Sequence, residues 1–315
     1  MMRHVAQRLV TSLFLLLAIS IAVFALLHLV PGGPLAVYLS NPDVRPEDLE
    51  RLRRALGLDQ PVWRQYVQWL SGYVTGDWGY SYSDGRPVLQ RVVERLPATL
   101  ELVGVSVVLA VAATVPLGLA AALGFHRVWR TLAASISFAG ISLPVFWFGL
   151  VLQLVFALGL GWLPSSGRTT PGGGGVADRV AHLALPAVML AAVHAAAWSR
   201  YLRAAVVDAA RQRFVAAARA RGVRERVVLW RHTVRPALLP VMTVALLDVA
   251  LLAGGTVVTE SVFAWPGLGS LFTEALARRD YTLLMALVML SSTAVVTFNL
   301  IADVGYSIVD PRVRS

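Results

Sequence analysis

The sequence predicts an all-α polytopic membrane protein, a bundle of six transmembrane helices with an extracytoplasmic helical insertion after the first. Hydrophobic residues make up 57% of the chain, more than the roughly half usual in soluble domains, and its mean hydropathy is +0.66. Six apolar stretches follow one another, approximately Leu9–Val30, Ala98–Leu123, Leu132–Leu160, Leu183–Val207, Ala237–Phe263 and Tyr281–Val309. At ~1.5 Å of rise per residue, even the shortest reaches across a hydrocarbon layer of about 30 Å.

The first stretch is longer than the ~7–15-residue apolar core of a cleaved leader, and HLVPGGPLAVYLS offers no small-x-small cleavage pattern, so it is read as a retained helix. Charge then orients the bundle. Arg3 and Arg8 precede the first span and Arg127 and Arg130 follow the second. Ten arginines from Arg200 to Arg235 separate the fourth and fifth spans, and Arg312 and Arg314 follow the sixth. These segments share one side, the cytoplasm, which puts both termini inside. On the other side Pro31–Arg95 balances its arginines with as many acids, and PSSGRTTPGGGG carries one charge. The net charge of +10 is therefore topological, and a nucleic-acid partner is not expected. The absence of lysine excludes a phosphate-loop lysine, so any ATP hydrolysis belongs to another polypeptide. The absence of cysteine excludes disulfides, thiolate nucleophiles and Cys-ligated zinc.

The outer segment is patterned beyond the needs of a connector. Pro46 opens a helix that Gly57 stops, and Pro61 opens a second reaching about Tyr73. On the latter, Val62, Tyr66, Trp69 and Tyr73 share one face, suited to resting on the bundle or receiving an outside partner. The chain thus divides into 1–30, the cytoplasmic N-terminus and first span; 31–95, the outer cap; 96–309, a five-helix core with a cytoplasmic loop at 208–235; and 310–315, a cytoplasmic tail.

That loop is an arginine-rich elbow with small residues on its floor. A helix ending near Gly222 places Ala210, Phe214, Ala217 and Ala218 on one face with Arg221 beside it, and Gly222 suits a left-handed stop. Beyond it Val223, Val227, Trp230 and Val234 recur at helical spacing. A topology anchor needs only the arginines, and a lipid-inserting helix needs larger apolar residues. A flat face of alanines suits docking into a protein groove.

Within the spans, a charge at mid-depth costs ~2.5–3.5 kcal/mol on insertion scales. Asp248, about a dozen residues into the fifth span, must face a cavity, be neutral or find a partner, and it is a candidate for the translocation route. Glu260, at the outer end of that span, is a candidate gate residue. Gln153, Asn299 and Asp303 invite weaker versions of the argument, and His28 and His194 are read as hydrogen-bonded helix contacts. No His-Glu-x-x-His or Gly-x-Ser-x-Gly pattern supports an intramembrane hydrolase. An ion-coupled secondary transporter would be expected to show an internal repeat, which the spans lack.

The strings LGLDQPVWRQYVQWL, GDWGYS, RPV, RLPATLEL, SLPVFWFGL, LGWLPSSG, ARARG, ESVFAWPGLG, RRDY and NLIADVGYSIVDPRVR occur in an order that closely resembles the permease subunits of bacterial ATP-binding-cassette (ABC) importers for dipeptides, oligopeptides and nickel. The likeness runs over nearly the whole chain. It implies a non-catalytic transport subunit of the inner membrane that pairs with a second related permease above two cytoplasmic ATPases. An extracytoplasmic binding protein delivers the cargo, and ATP and magnesium reside on the ATPases, with no cofactor on this chain. It aligns AAARARG with the family's glutamate-alanine-alanine-x-x-x-glycine coupling core. Ala217, Ala218 and Gly222 match, Phe214 and Arg221 flank them, and Ala216 stands where the wider superfamily has glutamate. Peptide is the expected cargo; nickel-chelate, glutathione-like and sugar importers share the scaffold.

Overall fold

A computed structural model describes residues 2–29, 45–55, 57–123 and 127–309. The stretch 31–44 after the expected retained helix and the tail 310–315, with Arg312 and Arg314, lie outside the described residues. The helices are α1 (Met2–Leu29), α2 (Pro46–Ala55), α3 (Val62–Thr75), α4 (Val88–Leu123), α5 (Arg127–Ser142), α6 (Val145–Leu152), α7 (Val176–Ala210), α8 (Arg213–Ala220), α9 (Glu225–Val227), α10 (Arg235–Gly255), α11 (Val257–Val262), α12 (Leu268–Ala277) and α13 (Tyr281–Val309). The π-helical stretches Gln153–Gly159 and Val228–Val234 continue α6 and α9. Among the described residues the only β-pairing is an isolated bridge between Tyr80 and Pro87.

Five continuous helical segments are long and apolar enough to cross a membrane: Ala6–Leu26, Val88–Leu123, Val176–Ala210, Glu225–Val249 and Tyr281–Ile301. The third stretch expected from the sequence, Leu132–Leu160, is instead interrupted. α5 stops at Ser142, and α6 begins after Pro144, because proline lacks an N–H and disfavours the helical region for Leu143. The fifth stretch is likewise divided: α10 ends at Gly255 and α11 restarts at Val257.

α4 and α7 form the central pair. Their contact is lined by Ala98, Leu102, Leu183, Ala187 and Leu190 at one end and Ala110, Ala191, Ala195, Trp198 and Leu202 towards the other. Small residues set the approach, since hydrocarbon supplies no hydrophobic drive and association rests on close packing. A Cβ on Gly118 of α4 would lie 2.8 Å from Leu202 of α7, and one on Gly140 of α5 would lie 2.7 Å from Ala196. Around this pair, α10 packs on α13, and α13 packs on α1.

The outer insertion is ordered as two helices with glycine stops. Gly57 after α2 takes φ +65° and Gly76 after α3 takes φ +88°, where glycine escapes the Cβ clash. The aromatic face of α3 rests on α1: Phe24 lies 5.4 Å from Tyr66 and 5.8 Å from Trp69 between ring centres, and Trp78 stacks on Tyr73 at 5.0 Å. The Tyr66 and Ser20 hydroxyls are 2.8 Å apart. Val62, expected on that face, is exposed.

Candidate coupling elbow and polar nodes

The loop between α7 and α10 folds into a compact elbow. α7 does not run on into it: Arg211 and Gln212 turn, with Gln212 extended at φ −69°, ψ 145°, before α8 begins. α8 ends in a Schellman motif. Gly222 takes φ +74°, its N–H donates to the Arg219 carbonyl at 2.9 Å, and the Val223 N–H donates to the Ala218 carbonyl at 3.2 Å. These two bonds satisfy carbonyls that the helix end leaves free. Val223 packs on the buried floor of Val215, Ala218 and Val228, the apolar contact that accompanies this motif. Across the elbow, one edge of the Arg219 guanidinium donates to both oxygens of Glu225, Nη2 at 2.7 Å and Nε at 3.2 Å.

This arrangement divides the residues expected to share one docking face. Phe214, Ala217, Arg221 and Gly222 are exposed, whereas Ala218 has no exposed surface. The expectation of a flat surface holding Ala217 and Ala218 together is corrected: Ala218 is floor, and the outward face runs Phe214, Ala217, Arg221. Ala210 belongs to the preceding helix. The second limb also differs from the expected phase. Val228, Thr233 and Val234 are buried while Val227 and Trp230 are exposed, since the wider π turn rotates successive side chains by less than an α turn does.

At the opposite end of α4 and α7, Glu260 is completely buried. Its carboxylate accepts from the Thr99 hydroxyl at 2.8 Å, the Thr256 hydroxyl at 2.7 Å and the Ser270 N–H at 2.9 Å. Ser270 is in the first turn of α12, whose N-terminus favours negative charge, and the Leu268 N–H donates to Thr99 at 2.8 Å. A Cβ on Gly267 would overlap the carboxylate. Trp265 closes the knot, its indole N–H donating to the Ala98 carbonyl at 2.9 Å. Glu260 thus joins α4, α11 and α12, and the structure gives it the place of a satisfied strut, not of a side chain lining an open path. Asp248, half-buried in α10, accepts from the Trp198 indole of α7 at 2.6 Å, so it has found the partner that mid-span depth requires. Gln153 bonds the carbonyls of Ser165 and Val262. His28 and His194 bond the carbonyls four residues before them. The side chain of Asp303 lies outside those described.

Two charged nodes escaped the sequence reading. Arg91, buried at the start of α4, lies 3.1 Å from Glu274, 3.4 Å from Asp84 and 4.0 Å from Asp280. Fully buried Asp280 also accepts from Ser81. Burial opposes the charge of Asp84, but the Arg86 N–H, Ser81 and the two guanidinium groups outweigh it and hold its carboxyl below the usual range. Glu101 is gripped by Arg168 at 2.7 Å and by Arg179 at 2.5 Å. RRDY holds Asp280 and RLPATLEL holds Glu101, but only the fold shows which partners they meet.

The fold is that of an all-helical membrane protein, with five segments able to cross a membrane among the described residues. Residues 114–315 match the family model of the binding-protein-dependent transport system inner membrane component, and residues 1–103 match the model of the N-terminal region of such membrane components. The chain belongs to this family, the inner-membrane permeases of ABC importers. It is 39% identical over 319 residues to the oligopeptide transport system permease protein AppB of Bacillus subtilis (strain 168), covering 100% of both chains. It is 37% identical over 314 residues to the glutathione transport system permease protein GsiC of Escherichia coli (strain K12), covering 100% of this chain and 99% of that one. A crystal structure of an amino acid ABC transporter with histidines shares the fold, with a TM-score of 0.56 at 14% identity over 69% of this chain and 94% of that one.

Proposed function

We propose that this permease forms half of the translocation pathway for di- or oligopeptides. It pairs with a second related permease and rests on two cytoplasmic ATPases that hold ATP and magnesium. It takes cargo from an extracytoplasmic binding protein, carries no cofactor or catalytic site of its own, and contacts lipid, not nucleic acid. The interrupted stretch 127–159 is the third of six crossings, and both termini are cytoplasmic, as the arginine distribution favours. Peptide cargo is supported by relatives named for oligopeptide and for glutathione, itself a small peptide.

The observation that carries the reading is the elbow: an exposed face of Phe214, Ala217 and Arg221 on a helix whose floor is packed and whose end is locked. Such a face can transmit a push from an ATPase because its floor packs α8 on Val228, and the stretch from Val228 to Val234 leads directly into α10. The test is reconstitution of the permease with its sister permease, ATPases and binding protein in proteoliposomes. ATP-dependent uptake of labelled di- and tetrapeptides is expected, and uptake of a nickel chelate without peptide uptake would overturn the cargo assignment. Since the chain has no cysteine, orientation is read from single cysteines. An impermeant thiol reagent on intact cells should label exposed position 71, from Ser71, and spare position 224, from Arg224.

A further inference from the structure

α7 carries its own depth gauge. Between Arg179 and Arg200 the stretch 180–199 holds no Asp, Glu or Arg, and at ~1.5 Å per residue it spans about 30 Å, the thickness of the hydrocarbon layer. Arg179 pairs with Glu101 of α4 at one boundary. Arg200 marks the other, where Ala121 of α4 arrives after a similar descent.

At that second boundary α4, α5 and α7 enclose a cleft of about 410 Å³. Arg200, Arg203 and Asp208 line it, all exposed. The Arg200 guanidinium lies 5.0 Å from the Phe138 ring centre, and neither arginine meets a carboxylate among the described residues. The Asp208 carboxylate likewise has no side-chain partner among the described residues. The polar floor is closed, because the Ser137 and Ser199 hydroxyls bond each other at 2.8 Å and the carbonyls of Ala133 and Ala196. The cleft therefore offers two cations, one anion and an apolar wall at headgroup depth.

We infer that this cleft holds a phospholipid, with its phosphodiester on Arg200 and Arg203, the donor group of its headgroup on Asp208, and its first methylenes along Phe138 and Ala121. An anion alone on the arginines would leave Asp208 unanswered. A headgroup carrying both a phosphate and an N–H or O–H donor satisfies both signs, and charge-assisted bonds of this kind are the strong ones. The proposed orientation enters only in assigning the lipid to the cytoplasmic leaflet.

The test is native mass spectrometry of the purified full-length permease, delipidated and titrated separately with phosphatidylethanolamine, phosphatidylglycerol and phosphatidylcholine of one acyl composition. Wild type should retain one phosphatidylethanolamine or phosphatidylglycerol several-fold better than phosphatidylcholine, whose methylated amine has no N–H. Arg200→Ala with Arg203→Ala should weaken retention by about tenfold or more. Asp208→Ala, which removes the acceptor, should erase the preference over phosphatidylcholine and leave the phosphate contribution in place. Because these side chains are exposed, elution and thermal midpoint should match wild type, and Arg211→Ala, outside the cleft, serves as control. Equal retention by wild type and the double variant, or equal retention of all three lipids by wild type, would overturn the proposal. So would displacement of the lipid by millimolar inorganic phosphate, which would assign the cleft to a soluble anion. An opposite labelling pattern for positions 71 and 224 would change the leaflet and leave the lipid ratios untouched, so the two failures are distinguishable.

Discussion

The elbow and the Glu260 knot lie at opposite ends of the α4–α7 pair, and both are short helices meeting at a glycine-containing turn. Their polar and apolar parts are arranged oppositely. In the knot a carboxylate lies at the centre with every neighbour a donor, and Gly267 is small because the carboxylate occupies the space a Cβ would need. In the elbow the centre is apolar, the charged groups lie outside, and Gly222 is required for its left-handed backbone with open space around it. A glycine-containing turn thus serves two different uses. A knot with every donor answered holds helices at fixed distances, while an elbow with a packed floor and an uncovered face is available to another protein.

The largest effect should come from breaking the knot. Glu260→Ala leaves the hydroxyls of Thr99 and Thr256 and the Ser270 N–H without their acceptor in a buried site, a loss of about 3 kcal/mol or more. Purified in detergent, the variant should melt far below wild type or fail to elute as a single species. Glu260→Gln keeps an oxygen for the hydroxyls but turns an amide towards the Ser270 N–H or a hydroxyl, so it should fall between. A wild-type melting curve for the alanine variant would remove the strut role and restore Glu260 as a gate candidate.

The elbow should respond in two ways according to which side is touched. Ala218→Asp places a carboxylate among Val215, Val223 and Val228 with no partner, which costs several kcal/mol and should unfold the elbow. Ala217→Asp adds the same charge on the exposed face and should leave the melting midpoint near wild type while reducing co-purification of the ATPases. If the two variants behave alike, the division into floor and face is wrong.

Much of this was legible in the sequence, and the reasons differ by region. Helix starts and stops in the outer segment follow from Pro46, Pro61 and Gly57, because proline and glycine act through local backbone geometry. The stop at Gly222 was legible for the same reason. The position of Ala218 was not, since it depends on where Val228 returns, and that is set by a π turn that no local spacing announces. The break of the third stretch at Pro144 was readable only in part. Pro97, Pro116, Pro186 and Pro240 lie inside unbroken helices, so proline alone does not decide. The partners of Glu260, Arg91 and Glu101 come from residues far apart in the chain, and no periodicity predicts which acid meets which donor.

A more modest effect is expected at the turn itself. Gly222→Val forces a β-branched residue to φ +74°, a strain of roughly 1–2 kcal/mol. With nothing within 4 Å of the added Cβ, the cost is conformational and not steric. The global melting midpoint should barely move, because the floor of the elbow is separate from the cores of the spans. Substrate-stimulated ATP hydrolysis should fall, since the second limb would leave α8 at a different angle. Gly222→Asn, which tolerates the left-handed region better, should recover most of the activity.

The smallest effect should follow Arg219→Ala. The Arg219–Glu225 pair joins the two limbs with good bidentate geometry, yet both side chains are largely exposed, and exposed pairs contribute little because water and salt screen them. The Schellman bonds of Gly222 and Val223 and the packing of Val228 on Ala218 remain in the variant. Melting, ATPase co-purification and stimulated hydrolysis should therefore stay close to wild type at physiological salt. A marked loss of coupling that wild type reproduces when salt is raised would mean that the ion pair sets the elbow angle. The rigidity of this end would then be electrostatic where that of the Glu260 knot is built on buried hydrogen bonds, and the glycine stop would only permit the bend.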